Sequence, residues 1–189
     1  MLGDELNALF EECGTDKGCS HHYGAAYEYL LRGLELRELK MLELGVAEGG
    51  SLRAWNRYLP RATVIGTDEI AACNRYAGPQ AIIEIIDHRE RSQLESLSKY
   101  APFDIIIDDG SHQPDAVRLA YDVLWPMLKV GGSYIVEDLQ VQHIPNYHPG
   151  KHPVMAEILE RADQENQDSG LGDRITILAG ELAAFVKVK

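Results

Sequence analysis

From residue 39 onward the chain alternates short, largely apolar runs with segments of helical periodicity, and this alternation restricts the fold more than any other feature. Residues 40–45, 63–68, 81–87, 103–108 and 133–137 read as strands. Between them, 51–59 places Leu52, Trp55 and Leu59 on one helical face, and 117–128 does the same with Val117, Ala120, Tyr121, Leu124 and Leu128. Strands that are apolar on both faces and separated by helices belong to a parallel sheet covered on both sides. Right-handed crossovers then make it a doubly wound α/β sheet. Ahead of this pattern, residues 1–36 read as helical, with Leu2, Leu6, Leu9 and Phe10 at helical spacing, a loop over 14–24 and a second amphipathic stretch over 27–36. After residue 140 the alternation weakens into a Pro/Gly/His-rich loop over 142–153 and a helix over 154–166. Residues 174–178 and 184–188, joined by a short turn containing Gly180, read as an antiparallel hairpin. The expected organisation is an N-terminal helical segment over 1–36 and one α/β domain over 37–189, a single domain overall.

Charge and cysteine content narrow the function. Thirty Asp and Glu stand against 18 Lys and Arg, a formal net charge of -12. With no dense basic patch, such a chain repels nucleic acid. No apolar run is long enough to span a bilayer, and the N-terminus lacks the pattern of a signal peptide. Cys13, Cys19 and Cys73 are odd in number and have no CxxC spacing, which fits a reducing cytoplasm and neither a disulfide framework nor a zinc site.

The first strand runs into Glu43-Leu44-Gly45-Val46-Ala47-Glu48-Gly49-Gly50-Ser51, just before a helix. Glycines at such a turn let a ligand approach the backbone, and the helix start offers unpaired N–H donors. Asp68 ends the second strand, where a ribose diol lies in folds of this kind. A dinucleotide fingerprint wants G-x-G-x-x-G. Here Ala47 crowds the place of the second glycine and Glu48 adds negative charge, so a cationic sulfonium, S-adenosylmethionine, fits better than NAD. Asp87, ending the third strand, is either an adenine contact or a turn and cap residue.

The fourth strand runs into Asp108-Asp109-Gly110-Ser111-His112 and the fifth into Glu137-Asp138. Neighbouring strand ends would crowd these carboxylates at one rim, and like charges that close call for a cation. All-oxygen ligands suit Mg²⁺, or another hard cation such as Mn²⁺ or Ca²⁺.

The segments Leu42-Glu43-Leu44-Gly45-Val46-x-x-Gly49-Gly50-Ser51-Leu52-x-x-Trp55, Asp108-Asp109-Gly110-Ser111-His112 and Val136-Glu137-Asp138-Leu139 resemble those of metal-dependent sugar O-methyltransferases, class I enzymes of antibiotic biosynthesis. Gly14-Thr15-Asp16-Lys17, followed by His21, Tyr23 and Tyr27, resembles the segment that precedes that family's catalytic fold. The resemblance implies a Rossmann-like seven-stranded sheet with a C-terminal antiparallel hairpin and an N-terminal helical lid. It implies Asp109, Glu137 and Asp138 as metal ligands and His112 as general base. Glu43, Gly45, Ser51, Asp68, Asp87 and Asp108 fall on the cofactor side, and His21 and Tyr23 in a lid near the substrate. The acceptor would be a hydroxyl on a sugar or glycosylated natural product. The chain is expected to lack the large N-terminal domain found within that family, and a homo-oligomer is left open. Rival readings are a metal-dependent methyltransferase of a non-sugar diol or catechol, an NAD-dependent oxidoreductase, and a non-catalytic S-adenosylmethionine-binding protein.

Overall fold

The computed structural model describes residues 3–143, 174–178 and 181–187, and the chain divides into two compact units, Met1–Ile86 and Asp87–Lys189. The division falls after Ile86 and not after residue 36, because the N-terminal helices pack into the same unit as the first three strands. The expected loop over 142–153 begins in a 3₁₀ turn, Leu139–His143, and otherwise lies outside the described residues, as do the expected helix over 154–166 and the Gly180 turn.

In the first unit, helices α1 (Asp4–Cys13), α2 (Asp16–Cys19) and α3 (Gly24–Leu30) precede strand β1 (Leu39–Leu44). Helix α4 (Gly50–Tyr58) leads into β2 (Ala62–Asp68), and a 3₁₀ turn, Ala71–Tyr76, into β3 (Ala81–Ile85). The three strands are parallel in the order β3-β2-β1, with Leu44 opposite Thr67 and Asp68 opposite Ile85. The short helix α2 lies within the expected 14–24 loop, and α3 starts three residues before the expected stretch.

Helix α1 buries Leu6, Phe10 and Cys13, one helical stripe, and ends at Gly14 with φ 73°. Asp4 and Glu5 in its first turn complement the helix dipole. Phe10 meets Trp55 of α4 edge-on at 5.2 Å and Tyr27 of α3 at 6.0 Å, while Tyr27 and Trp55 lie 4.9 Å apart. All three rings are fully buried. Within the segment expected to form a lid, these helices thus contribute hydrophobic core to the first unit.

In the second unit, α5 (Arg91–Glu95) precedes β4 (Phe103–Asp108), and α6 (Pro114–Leu124) connects β4 to β5 (Leu128–Val136). Strands β6 (Arg174–Leu178) and β7 (Leu182–Val186) form the expected antiparallel hairpin. β4 and β5 are parallel, β5 and β7 antiparallel, giving the order β4-β5-β7-β6. α6 begins with Pro114 in its first turn, where a missing N–H costs nothing, so it starts earlier than the apolar stripe alone suggests. β5 likewise starts at Leu128, because its exposed Val130 and Gly131 hide the strand signal.

Candidate active site

The glycine loop of the first unit is shaped by backbone that L-residues avoid. Gly45 has φ 91° and Gly49 φ 69°, and a Cβ on Gly49 would meet the Tyr76 ring at 2.7 Å. Ala47 adopts φ 45° despite its side chain. Strain of this kind clusters at ligand sites.

Asp68 secures the loop. Its Oδ2 accepts the N–H of Val46 at 3.1 Å and of Ala47 at 2.9 Å, and its Oδ1 accepts the N–H of Ile70 at 2.9 Å. Burial alone would raise its pKa, but the N–H groups of Ile70, Ala47 and Val46 together hold it below the ordinary aspartate value. Cys73 donates to the Ala47 carbonyl at 3.4 Å, and burial followed by the Asp68 charge pushes its thiol pKa up.

Glu43, expected on the cofactor side, supports the loop from beneath. It is 0% exposed. Its Oε2 accepts from Ser51 Oγ at 2.9 Å, its Oε1 from Trp55 Nε1 at 3.1 Å, and Lys17 Nζ lies 4.0 Å from Oε1. The Ser51 hydroxyl, expected to face a cofactor, is thus turned inward and donates to Glu43. Gly45 donates its N–H to the Thr67 carbonyl at 2.8 Å. Tyr23, expected in a lid, is fully buried and stacks on His21 with centroids 5.1 Å apart, which makes it core. His21 keeps partial exposure, with Nε2 3.9 Å from Asp16.

In the second unit, register sets the carboxylates. Asp108 pairs with Val136 at the ends of β4 and β5, so Asp109 and Glu137 leave adjacent strand ends. Among the described residues, Asp109, His112 and Asp138 offer one donor atom each, all within 4.8 Å of one another. His112 Nε2 lies 3.9 Å from Asp109 Oδ1 and 3.7 Å from Asp138 Oδ2. His112 at φ 53° and Asp138 at φ 57° both take left-handed backbone, and all three residues stay partly accessible. Gly110 is required here, since a Cβ would sit 2.7 Å from His88 Nδ1.

Three expected residues of this unit stand apart from that cluster. Glu137 is 3% exposed and is not one of the three convergent donors. Asp108, expected on the cofactor side, is 4% exposed and accepts from the Tyr134 hydroxyl at 3.3 Å. Burial raises its pKa to about 7, against the pull of the Gly110 N–H and Tyr134 and with the charge of Asp109. Asp87 takes the turn role. Its carboxylate is gripped by the Arg89 guanidinium at 2.8 and 2.9 Å and by the Arg89 N–H, which lowers its pKa to about 2.

Sequence reasoning assigned no role to Lys17, Tyr76, His88 or Tyr134. Lys17 alone carried a signal, as the last residue of the Gly14-Thr15-Asp16-Lys17 segment.

A family model described as a methyltransferase domain matches residues 42–139. The chain is 39% identical over 142 residues to the 8-demethyl-8-alpha-L-rhamnosyl tetracenomycin-C 2'-O-methyltransferase of Streptomyces olivaceus, covering 71% of this chain and 37% of that protein. It is 33% identical over 161 residues to the demethylmacrocin O-methyltransferase of Streptomyces fradiae, covering 78% of this chain and 40% of the relative. The chain therefore spans about two-fifths of the length of these curated relatives. Among solved structures, a MycE methyltransferase from the mycinamycin biosynthetic pathway, in complex with Mg, SAH and mycinamycin VI, matches with TM-score 0.86 at 24% identity, over 96% of this chain and 53% of that one. This likeness shows the fold, the α/β class that the strand alternation predicts.

Proposed function

The chain belongs to the methyltransferase-domain family, and from that premise we propose that it moves the methyl group of S-adenosylmethionine to a hydroxyl oxygen of a sugar on a natural product. The observation that carries this reading is the convergence of partly accessible Asp109, His112 and Asp138 beyond the strand ends, with His112 and Asp138 on left-handed backbone. The relatives, a rhamnosyl tetracenomycin-C 2'-O-methyltransferase and a demethylmacrocin O-methyltransferase, support a sugar-bearing acceptor. The net charge of -12 favours a small molecule over nucleic acid. The free thiols of Cys13, Cys19 and Cys73 favour a reducing compartment. Among the described residues no helix is long and apolar enough to cross a membrane.

The donor set fits a hard divalent cation. Two carboxylates converge there, and their oxygens suit Mg²⁺ or Mn²⁺. Asp109 and Asp138 would hold the ion, which when bound supplies Lewis acidity and a template for adjacent acceptor oxygens. His112, whose Nε2 lies 3.9 Å from Asp109 and 3.7 Å from Asp138, would take the acceptor hydroxyl's proton. The acceptor oxygen gains the methyl carbon as the carbon–sulfur bond breaks in line. In the first unit, Asp68 orients the ribose through Oδ1 while tying down the loop, and buried Glu43 and Ser51 keep the first turn of α4 in place.

The test is methyl transfer from labelled S-adenosylmethionine to a panel of rhamnosylated and deoxysugar-bearing polyketides, with catechols as a second arm. Labelled sugar product that disappears in EDTA and returns with Mg²⁺ is expected. Transfer only to catechols would replace the acceptor class, and full activity in chelator would remove the metal.

A further inference from the structure

The geometry points to Lys17 as a positioning residue of the cofactor loop, acting through the buried carboxylate of Glu43. This deepens the assignment of the glycine loop to S-adenosylmethionine and rests on it. Lys17 is 1% exposed and Glu43 0% exposed, so the pair is removed from water. Breaking one side of such a pair leaves a buried charge uncompensated, whereas replacing both sides is often close to neutral in stability. A buried pair is therefore a poor stabiliser, and its position supplies the better reason for it.

Glu43 is the next-to-last residue of β1, immediately beneath the loop, and its two oxygens take the Ser51 hydroxyl and the Trp55 indole N–H from the first two turns of α4. The orientation of this helix start relative to the strand end thus depends on one carboxylate, whose countercharge comes from outside both elements. The segment bearing Lys17 is fastened to the same helix start at two further points. Arg53 donates to the Cys13 carbonyl at 2.7 Å and to the Glu48 carbonyl at 3.0 Å, bridging the segment and the loop. Gly50 passes so close to the segment that a Cβ would lie 2.7 Å from the Gly14 carbonyl oxygen. The N-terminal segment is a brace for the cofactor loop, and Lys17 is the charge that faces Glu43 and holds it in place.

The experiment measures the Kd for S-adenosylhomocysteine by calorimetry for the full chain, Lys17→Met, Glu43→Gln and the double variant, each well below its melting temperature. Lys17→Met is expected to weaken binding roughly tenfold or more, because the uncompensated carboxylate recruits a proton or water and lets go of Ser51. The double variant is expected to bind tighter than Lys17→Met alone. Side-chain packing by Lys17 without charge coupling would instead give additive losses, and that result overturns the proposal, as does a Lys17→Met affinity within twofold of the parent. If Lys17→Met does not fold, a folded double variant supports the coupling and an unfolded one overturns it. A parent chain that binds no S-adenosylhomocysteine overturns the reading of the loop itself, a result distinct from all of these.

Discussion

At the scale of single residues, the candidate site separates partly accessible groups from buried groups that hold the backbone around them. His112 stands 3.9 and 3.7 Å from two carboxylates and is partly accessible, within reach of a ligand as the proposed base must be. His112→Ala is expected to lower turnover by about 10²–10⁴ and to leave S-adenosylhomocysteine affinity unchanged, as steady-state kinetics with calorimetry will check. Asp108 has the opposite environment, and its pKa of about 7 makes it a pH-dependent cost. An acid whose pKa is raised by folding costs nothing below its unfolded value, near 4. The cost grows as pH rises toward 7 and stays constant above it. In metal-free protein, Asp108→Asn should therefore gain stability relative to the parent between about pH 4 and 7. An upper bound on the order of 4 kcal/mol follows at 1.36 kcal/mol per pKa unit, measurable by urea denaturation across pH.

Elements impose their own constraints, and the start of α4 shows two of them in conflict. By helix propensity alone, Gly50→Ala would stabilise by up to about 1 kcal/mol. The Gly14 carbonyl sits 2.7 Å from where that methyl must go, and both partners are backbone. Gly50→Ala is expected to lower Tm and weaken S-adenosylhomocysteine binding together, seen by thermal melting and calorimetry. The glycine loop itself was legible in the sequence, because glycines between a strand and a helix announce a turn of unusual backbone. That Ala47 joins them at φ 45° was not, since nothing in an alanine shows that Asp68 will hold its N–H in place.

At the scale of the molecule, the N-terminal helices belong to the first unit's core. Phe10→Ala is expected to cost about 3–5 kcal/mol and to shift Trp55 fluorescence, because it empties the space between Tyr27 and Trp55. A detachable lid would show neither effect. Helical spacing of Leu6 and Phe10 told that one face is buried, but an amphipathic face does not name what covers it.

The sequence by itself determined the α/β class and the segments after the fourth and fifth strands that carry Asp109, His112 and Asp138. Hydrophobic periodicity and glycine position are local properties, set by side-chain alternation and backbone freedom. Tertiary structure decided which carboxylate does what. Asp109 and Asp138 converge with His112, Asp108 and Glu137 are buried, and Glu43 is closed off by Ser51, Trp55 and Lys17. The physical reason is that a carboxylate's role depends on its solvation and its partners. Those come from residues distant in sequence, such as Lys17 for Glu43 and Tyr134 for Asp108, which meet it only when the chain is folded.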